Sequence, residues 1–538
     1  MELDIFLCHQ GNSMIISLSG RLTAANAPEF DRALADWSDG MEEIKIDMSN
    51  LVYISSMGIR SVLSAKRALA AKGTAFKICS PTETVMDVFN LTGLDELVDI
   101  EYSDNIRDEK LFTYPLLPIQ RRILDTHFNK ASSTMMNIGT TLKLDPSADL
   151  DILAKALNSV ISDNDVFRCR FVLDKNSGDI CQKFDGDVKP IIIEKMTSED
   201  FKNIIGTLKE PYEIIGHRLW NIHIIETPDA KYLFMDFYHA IIDRTAIVTV
   251  FWNEVNRRYT EMINESKDTA GTHIHRSSSY AAYVAKRFCS EPEPQLIEEG
   301  KRFLGDMTDG FNTKKHLPPM DRNEESECCL KEAEFPIDVI NSEFFSNNSI
   351  TEQIFFLGVT MLTIAKMNRT SDSVILWINN GRNTKTEAET IGIMLEHFPI
   401  RWEFKKEQKT SDLMIGLDCM VKDSIRYRSS LDSVSEADTD SDMACFMLQK
   451  YSISRKREFP LGNGWASEIE IPEKPASGAG CYIDTELNVH DDGTFSLVIY
   501  YNNGFYSEDA VRRYAEAYSE TAAALKDENC DIYGLLGL

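Results

Sequence analysis

Tyr238-His239-Ala240-Ile241-Ile242-Asp243 is a His-x-x-x-Asp sequence set where a strand pattern stops and a helix pattern begins. An imidazole, with an unperturbed pKa of about 6.5, can take a proton from an attacking amine or hydroxyl near neutral pH. The chemistry this spacing points to is acyl transfer. The same residues also have a plain structural use. A lone histidine at a turn is commonly a structural group, and Asp243 is a natural N-cap that an inactive protein would keep. A second grouping, Ile54-Ser55-Ser56-Met57-Gly58-Ile59, puts two hydroxyls just ahead of a helical pattern. Serine there caps a helix well. It is also a position at which a phosphate, adding roughly −1.5 to −2 charges, meets free helix N–H groups.

The elements that must position these groups can be read from periodicity. Residues 232–239 are strand-like, apolar and aromatic apart from Asp236 and His239. From Asp243 onward a helix is expected, with Ile247, Val250, Phe251 and Val255 on one face. His239 then lies at the carboxyl end of its strand, where α/β folds present reactive groups. Upstream, strands are expected at 14–18, 44–47, 75–78 and 97–100. Helices lie between them: one from Asn26 through Phe30, Leu34 and Trp37, and one over 57–71 closed by Gly73. A third is opened by Pro81 and carries Val85, Val88 and Phe89. Alternating strands and helices indicate an α/β domain.

Residues 3–103 resemble the STAS domain of bacterial anti-sigma factor antagonists. The resemblance rests on Ile44-Lys45-Ile46-Asp47-Met48-Ser49, on Tyr53 through Ile59, and on Leu91-Thr92-Gly93-Leu94-Asp95-Glu96-Leu97. It implies that Ser56, less so Ser55, is phosphorylated by a partner anti-sigma serine kinase, and that only the unphosphorylated form binds that kinase. Ser55 stands where many members carry aspartate, and Thr23 departs in the same way.

Residues from about 113 to 530 resemble the condensation domain of nonribosomal peptide synthetases, within the chloramphenicol-acetyltransferase-like superfamily. Segments that fit in order are Leu117-Pro118-Ile119-Gln120, Asp163 through Phe171, Leu219-Trp220-Asn221-Ile222, Tyr238 through Asp243, Asn380-Gly381-Arg382-Asn383, Ile391 through Arg401, and Tyr500-Tyr501-Asn502. The resemblance implies an α/β architecture in which the small STAS-type domain (1–104) and a linker (105–112) precede two α/β lobes, 113–290 and 291–538, arranged in a V with a tunnel between them. It implies that His239 acts on a nucleophile attacking a pantetheine thioester, from a carrier protein or coenzyme A, with no covalent enzyme intermediate. It also implies a salt bridge between Asp243 and Arg168. Tyr238, Arg244, Arg382 and His397 are the tunnel or substrate candidates. Tyr238 stands where the family usually has a first histidine, Arg244 where it has glycine, and Glu396-His397 where it has Asn-Thr. Arg244 is expected to narrow the tunnel, to disfavour a protonated His239, or to hold an acidic substrate.

The 538 residues carry a formal net charge of −28. Nucleic acid and anionic membrane both call for basic surface, so neither is an expected partner. No run of about 20 apolar residues is present, and the first residues are acidic where a signal peptide is basic. Eleven scattered cysteines, with only Cys328 and Cys329 adjacent, read as free thiols in a reducing cytoplasm. His273 and His275 stand together in a Thr/Ser-rich loop without a third ligand nearby, so no metal is expected. No resident cofactor is expected either, since a pantetheine thioester would be a substrate. Two functions stay open: a STAS-regulated acyltransferase, and a non-catalytic regulatory adaptor switched at Ser56 whose large region is a ligand sensor or docking body.

Overall fold

A computed structural model of the chain describes residues 3–10, 13–38, 41–95, 97–101, 113–129, 134–174, 177–265, 279–289, 294–308, 316–322, 330–348, 350–428, 430, 443–470 and 483–538. The expected linker at 105–112, His273 and His275, and Cys328 and Cys329 lie outside these residues. So does the acidic segment 429–442, apart from Ser430.

The N-terminal domain is built on a five-stranded sheet in the order β1-β2-β3-β4-β5. Its strands are β1 (Asp4–Gln10), β2 (Ser13–Leu22), β3 (Glu43–Ile54), β4 (Ala75–Cys79) and β5 (Asp99–Glu101). Strands β2 to β5 run parallel, which requires crossover connections; these contain α1 (Ala27–Trp37), α2 (Ser56–Ala71) and α3 (Glu83–Thr92). The sequence reading missed β1, which pairs antiparallel with β2 at the sheet edge. Ile16, Ile44, Ile46, Val62 and Phe89 form a closed core.

The large region holds two cores. In the first lobe, β6 (Tyr114–Pro115), β8 (Arg170–Leu173) and β9 (Ile180–Lys183) make a small sheet. The main sheet is formed by β7 (Asn137–Leu144), β10 (Ile193–Lys195), β11 (Trp220–Glu226) and β12 (Lys231–Tyr238). Helices α4 (Pro118–Asn129), α5 (Leu150–Asp163), α6 (Ser198–Ile204), α7 (Trp252–Glu265) and α8 (Tyr280–Cys289) accompany them.

In the second lobe, β13 (Leu330–Pro336), β14 (Asp372–Asn379), β15 (Glu396–Glu403), β16 (Cys445–Lys450), β19 (Ile483–Val489) and β20 (Phe495–Asn502) form a sheet in the order β13-β20-β19-β16-β14-β15. Its core is closed by α11 (Glu352–Asn368), α13 (Thr410–Arg426) and α15 (Glu508–Ala524). The shorter or peripheral helices are α9 (Pro294–Thr308), α10 (Ser342–Asn348), α12 (Lys385–Ala388), α14 (Tyr451–Ser454) and α16 (Ile532–Leu535). Among the described residues no single helix is long and apolar enough to cross a membrane. The most apolar one, α11, is buried from Ile354 through Ala365.

The lobes are not separate in sequence. The hairpin β17 (Glu458–Leu461) and β18 (Gly464–Glu468) crosses over and extends the first lobe's sheet, giving the order β10-β11-β12-β7-β18-β17. Ile391, Ile393 and Met394 likewise lie in the first lobe's core.

Candidate active site

His239 follows the last residue of β12, and its backbone N–H donates to the Met136 carbonyl at 2.8 Å. The ring Nδ1 lies 3.1 Å from the Ile242 carbonyl. A carbonyl only accepts, so Nδ1 carries the proton and Nε2 keeps its lone pair. The ring is mostly enclosed but retains partial exposure. Burial pushes its pKa below the ordinary 6.5, opposed by the Ile242 carbonyl and the Asp243 carboxylate. The arrangement holds a neutral imidazole with one basic nitrogen left over at pH 7.

Asp243 plays a different part. Its Oδ1 accepts the Ala246 N–H at 2.8 Å, which is the expected N-cap. Its Oδ2 accepts from Arg382 Nη1 at 2.8 Å and from the Met394 N–H at 3.0 Å. Both side chains are buried, at 1% and 4% exposure. The partner is Arg382, not the Arg168 expected from the sequence. Arg168 follows Phe167, which takes the inward position against Trp220, Phe237 and Phe251. The arginine therefore turns outward and reaches the Ser162 carbonyl at 3.5 Å. Arg382 is correspondingly not a substrate group. Its Nη2 donates to the Gly392 carbonyl at 2.8 Å, and its turn is pressed so close that a Cβ on Gly381 (φ 72°) would come within 1.7 Å of the Met394 carbonyl oxygen.

Two other tunnel candidates are engaged by the protein itself. Strand alternation sends Tyr238 to the side opposite His239. It is fully buried, edge-on to His127 and tilted against Tyr212, in the first lobe's core. Arg244 reaches across to the other lobe. Its Nε donates to the carbonyls of Ile453 (3.3 Å) and Ser454 (3.0 Å), and its Nη2 to that of Lys456 (3.0 Å). The last carbonyls of a helix lack intrahelical donors, and Arg244 supplies them to the end of α14 from the other lobe.

His397 does join the site. It lies on β15, paired with Ile378, and its Nδ1 has no hydrogen-bond partner among the described residues. Burial holds its pKa well below 6.5, and the charge of Arg122, with that of His239 when protonated, acts in the same direction. Glu396, its neighbour, faces the other way and pairs with Arg287 at 3.3 Å.

Sequence reasoning missed two residues here. Arg122 stands on α4, which packs against β15, and no hydrogen bond or ion pair to its guanidinium is found among the described residues. Gln120 is fully buried and donates from Nε2 to the Ala240 carbonyl at 2.9 Å, bracing the turn that carries His239. The signal was a Gln-Arg-Arg run following Pro118-Ile119 at the opening of a helix.

In the N-terminal domain the two serines separate cleanly. Ser55 is the N-cap of α2, its Oγ accepting the Gly58 N–H at 3.2 Å. Ser56 is the first helical residue and is exposed. Around it Val52, Tyr53 and Met57 are exposed apolar side chains, and Arg21 lies 4.2 Å over the Tyr53 ring.

Comparison with known proteins gives two matches. Residues 110–529 match the condensation-domain family, and residues 7–108 match the STAS domain. A plipastatin synthase of Bacillus subtilis (strain 168) is 20% identical over 426 residues, which are 74% of this chain and 16% of that protein. This chain therefore spans only a small part of such a relative. The anti-sigma-B factor antagonist of Staphylococcus aureus (strain NCTC 8325 / PS 47) is 24% identical over 101 residues, 19% of this chain and 94% of the antagonist. Among solved structures, the starter condensation domain of rhizomide synthetase aligns with a TM-score of 0.59 at 13% identity, covering 78% of this chain and 98% of its own. The condensation domain of the Monacolin K polyketide synthase aligns with a TM-score of 0.59 at 15% identity, covering 78% and 99%. At these identities the structural likeness establishes the fold.

Proposed function

The chain belongs to the condensation-domain family and carries an N-terminal STAS domain, and from that premise we propose that it joins an acyl group from a pantetheine thioester to an amine or hydroxyl acceptor. The observation that carries this reading is His239, whose Nδ1 proton is committed to the Ile242 carbonyl while no partner for Nε2 is found among the described residues. The acceptor's lone pair attacks the thioester carbonyl, and Nε2 takes the acceptor's proton. As the tetrahedral intermediate collapses, the C–S bond breaks and the imidazolium returns the proton to the departing thiolate. The new C–N or C–O bond remains, and the enzyme is regenerated without a covalent step. Asp243 keeps the turn in place and takes no proton, because its oxygens are already committed. The thioester arrives as a substrate on a carrier protein or on coenzyme A and is not a resident group.

The test is purified full-length protein with a panel of acyl thioesters and acceptors, read by mass spectrometry of the product. His239→Ala should lower turnover about 10²- to 10⁴-fold with an unchanged thermal midpoint. Turnover that ignores this substitution refutes the mechanism.

The exposure of Ser56 within an apolar fringe favours a second reading for the N-terminal domain, as a docking surface closed by phosphorylation. A phosphate there would add negative charge and bulk to the exposed apolar fringe and so disfavour an apolar partner docking on it. An anti-sigma-type serine kinase with ATP should place phosphate on Ser56 and lose affinity for the product. Phosphate found elsewhere, or none with wild type, counts against it. In this reading the protein acts in the cytoplasm of a bacterium, either as a regulated acyltransferase or as an adaptor.

A further inference from the structure

Helix α8 contributes side chains to two cores. Tyr280, Val284 and Ala285 are buried in the first lobe. Ala282, 6% exposed, belongs instead to the core of the STAS domain with Leu3, Met14 and Phe30. The helix packs against β1, the edge strand of the STAS sheet. Its first turn is fixed to the condensation domain. Asp165 accepts the N–H groups of Tyr280 (2.9 Å) and Ala281 (3.2 Å) and the Ser279 hydroxyl.

The side of α8 that faces the condensation domain grips the segment Ile391 to His397. The Tyr280 ring lies where a Cβ on Gly392 would come within 2.1 Å, and the Tyr280 hydroxyl donates to the Ile393 carbonyl at 3.1 Å. Further along, Arg287 pairs with Glu396. That gripped segment completes the histidine turn. Its Met394 N–H goes to Asp243, its Gly392 carbonyl takes Arg382, and its Ile393 N–H goes to the Ile241 carbonyl at 3.0 Å. The segment ends in His397. A single helix therefore separates the STAS sheet from the segment that carries one site imidazole and braces the other.

We propose that α8 is the element through which the STAS domain acts on the acyl-transfer site, with Tyr280 as the positioning residue that sets segment 391–397 against the His239 turn. Docking on β1 holds α8, and α8 holds the segment. Any event that loosens the STAS domain, a partner or a charge at Ser56 included, then loosens the turn. Linkage makes the effect reciprocal: whatever tightens the cleft tightens the docking. Coupling of this kind typically changes affinities about 5- to 150-fold.

The test uses the full-length chain and amide hydrogen exchange read by mass spectrometry, with the carbethoxylation rate of His239 as a second probe. Ala282→Arg puts a charged chain into the STAS contact. It should raise exchange in β1 and also, by about tenfold or more, in peptides covering 391–397 and 238–247. Tyr280→Phe keeps the ring and loses only its bond to Ile393. It should raise exchange in 391–397 and, by the same reciprocity, to a smaller extent in the STAS peptides that meet α8. The proposal is overturned if Ala282→Arg loosens β1 alone, or if Tyr280→Phe leaves 391–397 unchanged. Only the consequence for catalysis rests on the acyltransferase reading. Exchange coupling without any turnover would remove that reading and leave the coupling standing, whereas turnover without exchange coupling would do the reverse.

Discussion

At the scale of single residues, the site is decided by which groups are already committed. Asp243 binds a guanidinium and two backbone N–H groups, so it anchors the turn. Removing it leaves the buried Arg382 charge without its carboxylate, which costs about 3–5 kcal/mol. Urea denaturation of Asp243→Ala should show that loss, while Arg168→Ala should cost under about 1 kcal/mol. The reverse ranking would restore the pair expected from the sequence. His239 supports a second prediction, about pH. Its pKa in the folded protein lies below 6.5 because burial penalises the charged ring. The basic form is therefore still present where an exposed histidine would be half protonated. Plotted against pH, kcat/KM should fall on the acid side with a midpoint below 6.5. A midpoint at or above 6.5 would place the imidazole in water.

At the scale of elements, close approach matters more than propensity. Gly392 admits the Tyr280 ring, and Gly392→Ala forces a methyl to within 2.1 Å of it. Overpacking of this kind costs about 1–3 kcal/mol. In the double variant Gly392→Ala, Tyr280→Leu, measured by thermal unfolding, the loss should be smaller than the sum of the two single losses, because the smaller side chain vacates the space. Additive losses would place the strain elsewhere. Much at this scale was legible beforehand. The apolar spacing of α2 and α3, the Ser55 cap and the strand leading to His239 are local patterns, and the structure keeps them. The helix after Asp243 was expected to be regular, but Ala246–Phe251 is a π-helical stretch. Its run Ile247-Val248-Thr249-Val250 is β-branched throughout and crowds a normal turn, and apolar periodicity does not distinguish the two windings. What sequence could not supply was partners across long separations. The Arg382–Asp243 pair spans 139 positions and the Arg244 contacts more than 200. Both depend on how two lobes meet, and no local pattern encodes that.

At the scale of the whole molecule, the two lobes are stitched together by three crossings: the β17–β18 hairpin in the first lobe's sheet, segment 391–394 in its core, and Arg244 reaching back to the end of α14. The STAS domain, by contrast, keeps a core of its own and meets the rest at α8. Cooperative unfolding follows shared contacts. Calorimetry of the full chain should therefore show both lobes melting in one transition and the STAS domain in another. Arg244 is the crossing that can be cut most cleanly. Its guanidinium satisfies three carbonyls, and Arg244→Ala leaves them short of donors at a cost of about 1–3 kcal/mol. Because α14 leads directly into the crossing hairpin, that loss falls on the junction and not on either sheet. The expected outcome is a lobe transition that broadens or splits while the STAS transition stays where it was. A wild-type protein whose lobes already melt separately, or an Arg244→Ala variant that shifts only the STAS transition, would mean that the crossings do not bind the lobes into one unit. His239, supplied by one lobe, and His397, supplied by the other, would then have no fixed relation across the cleft.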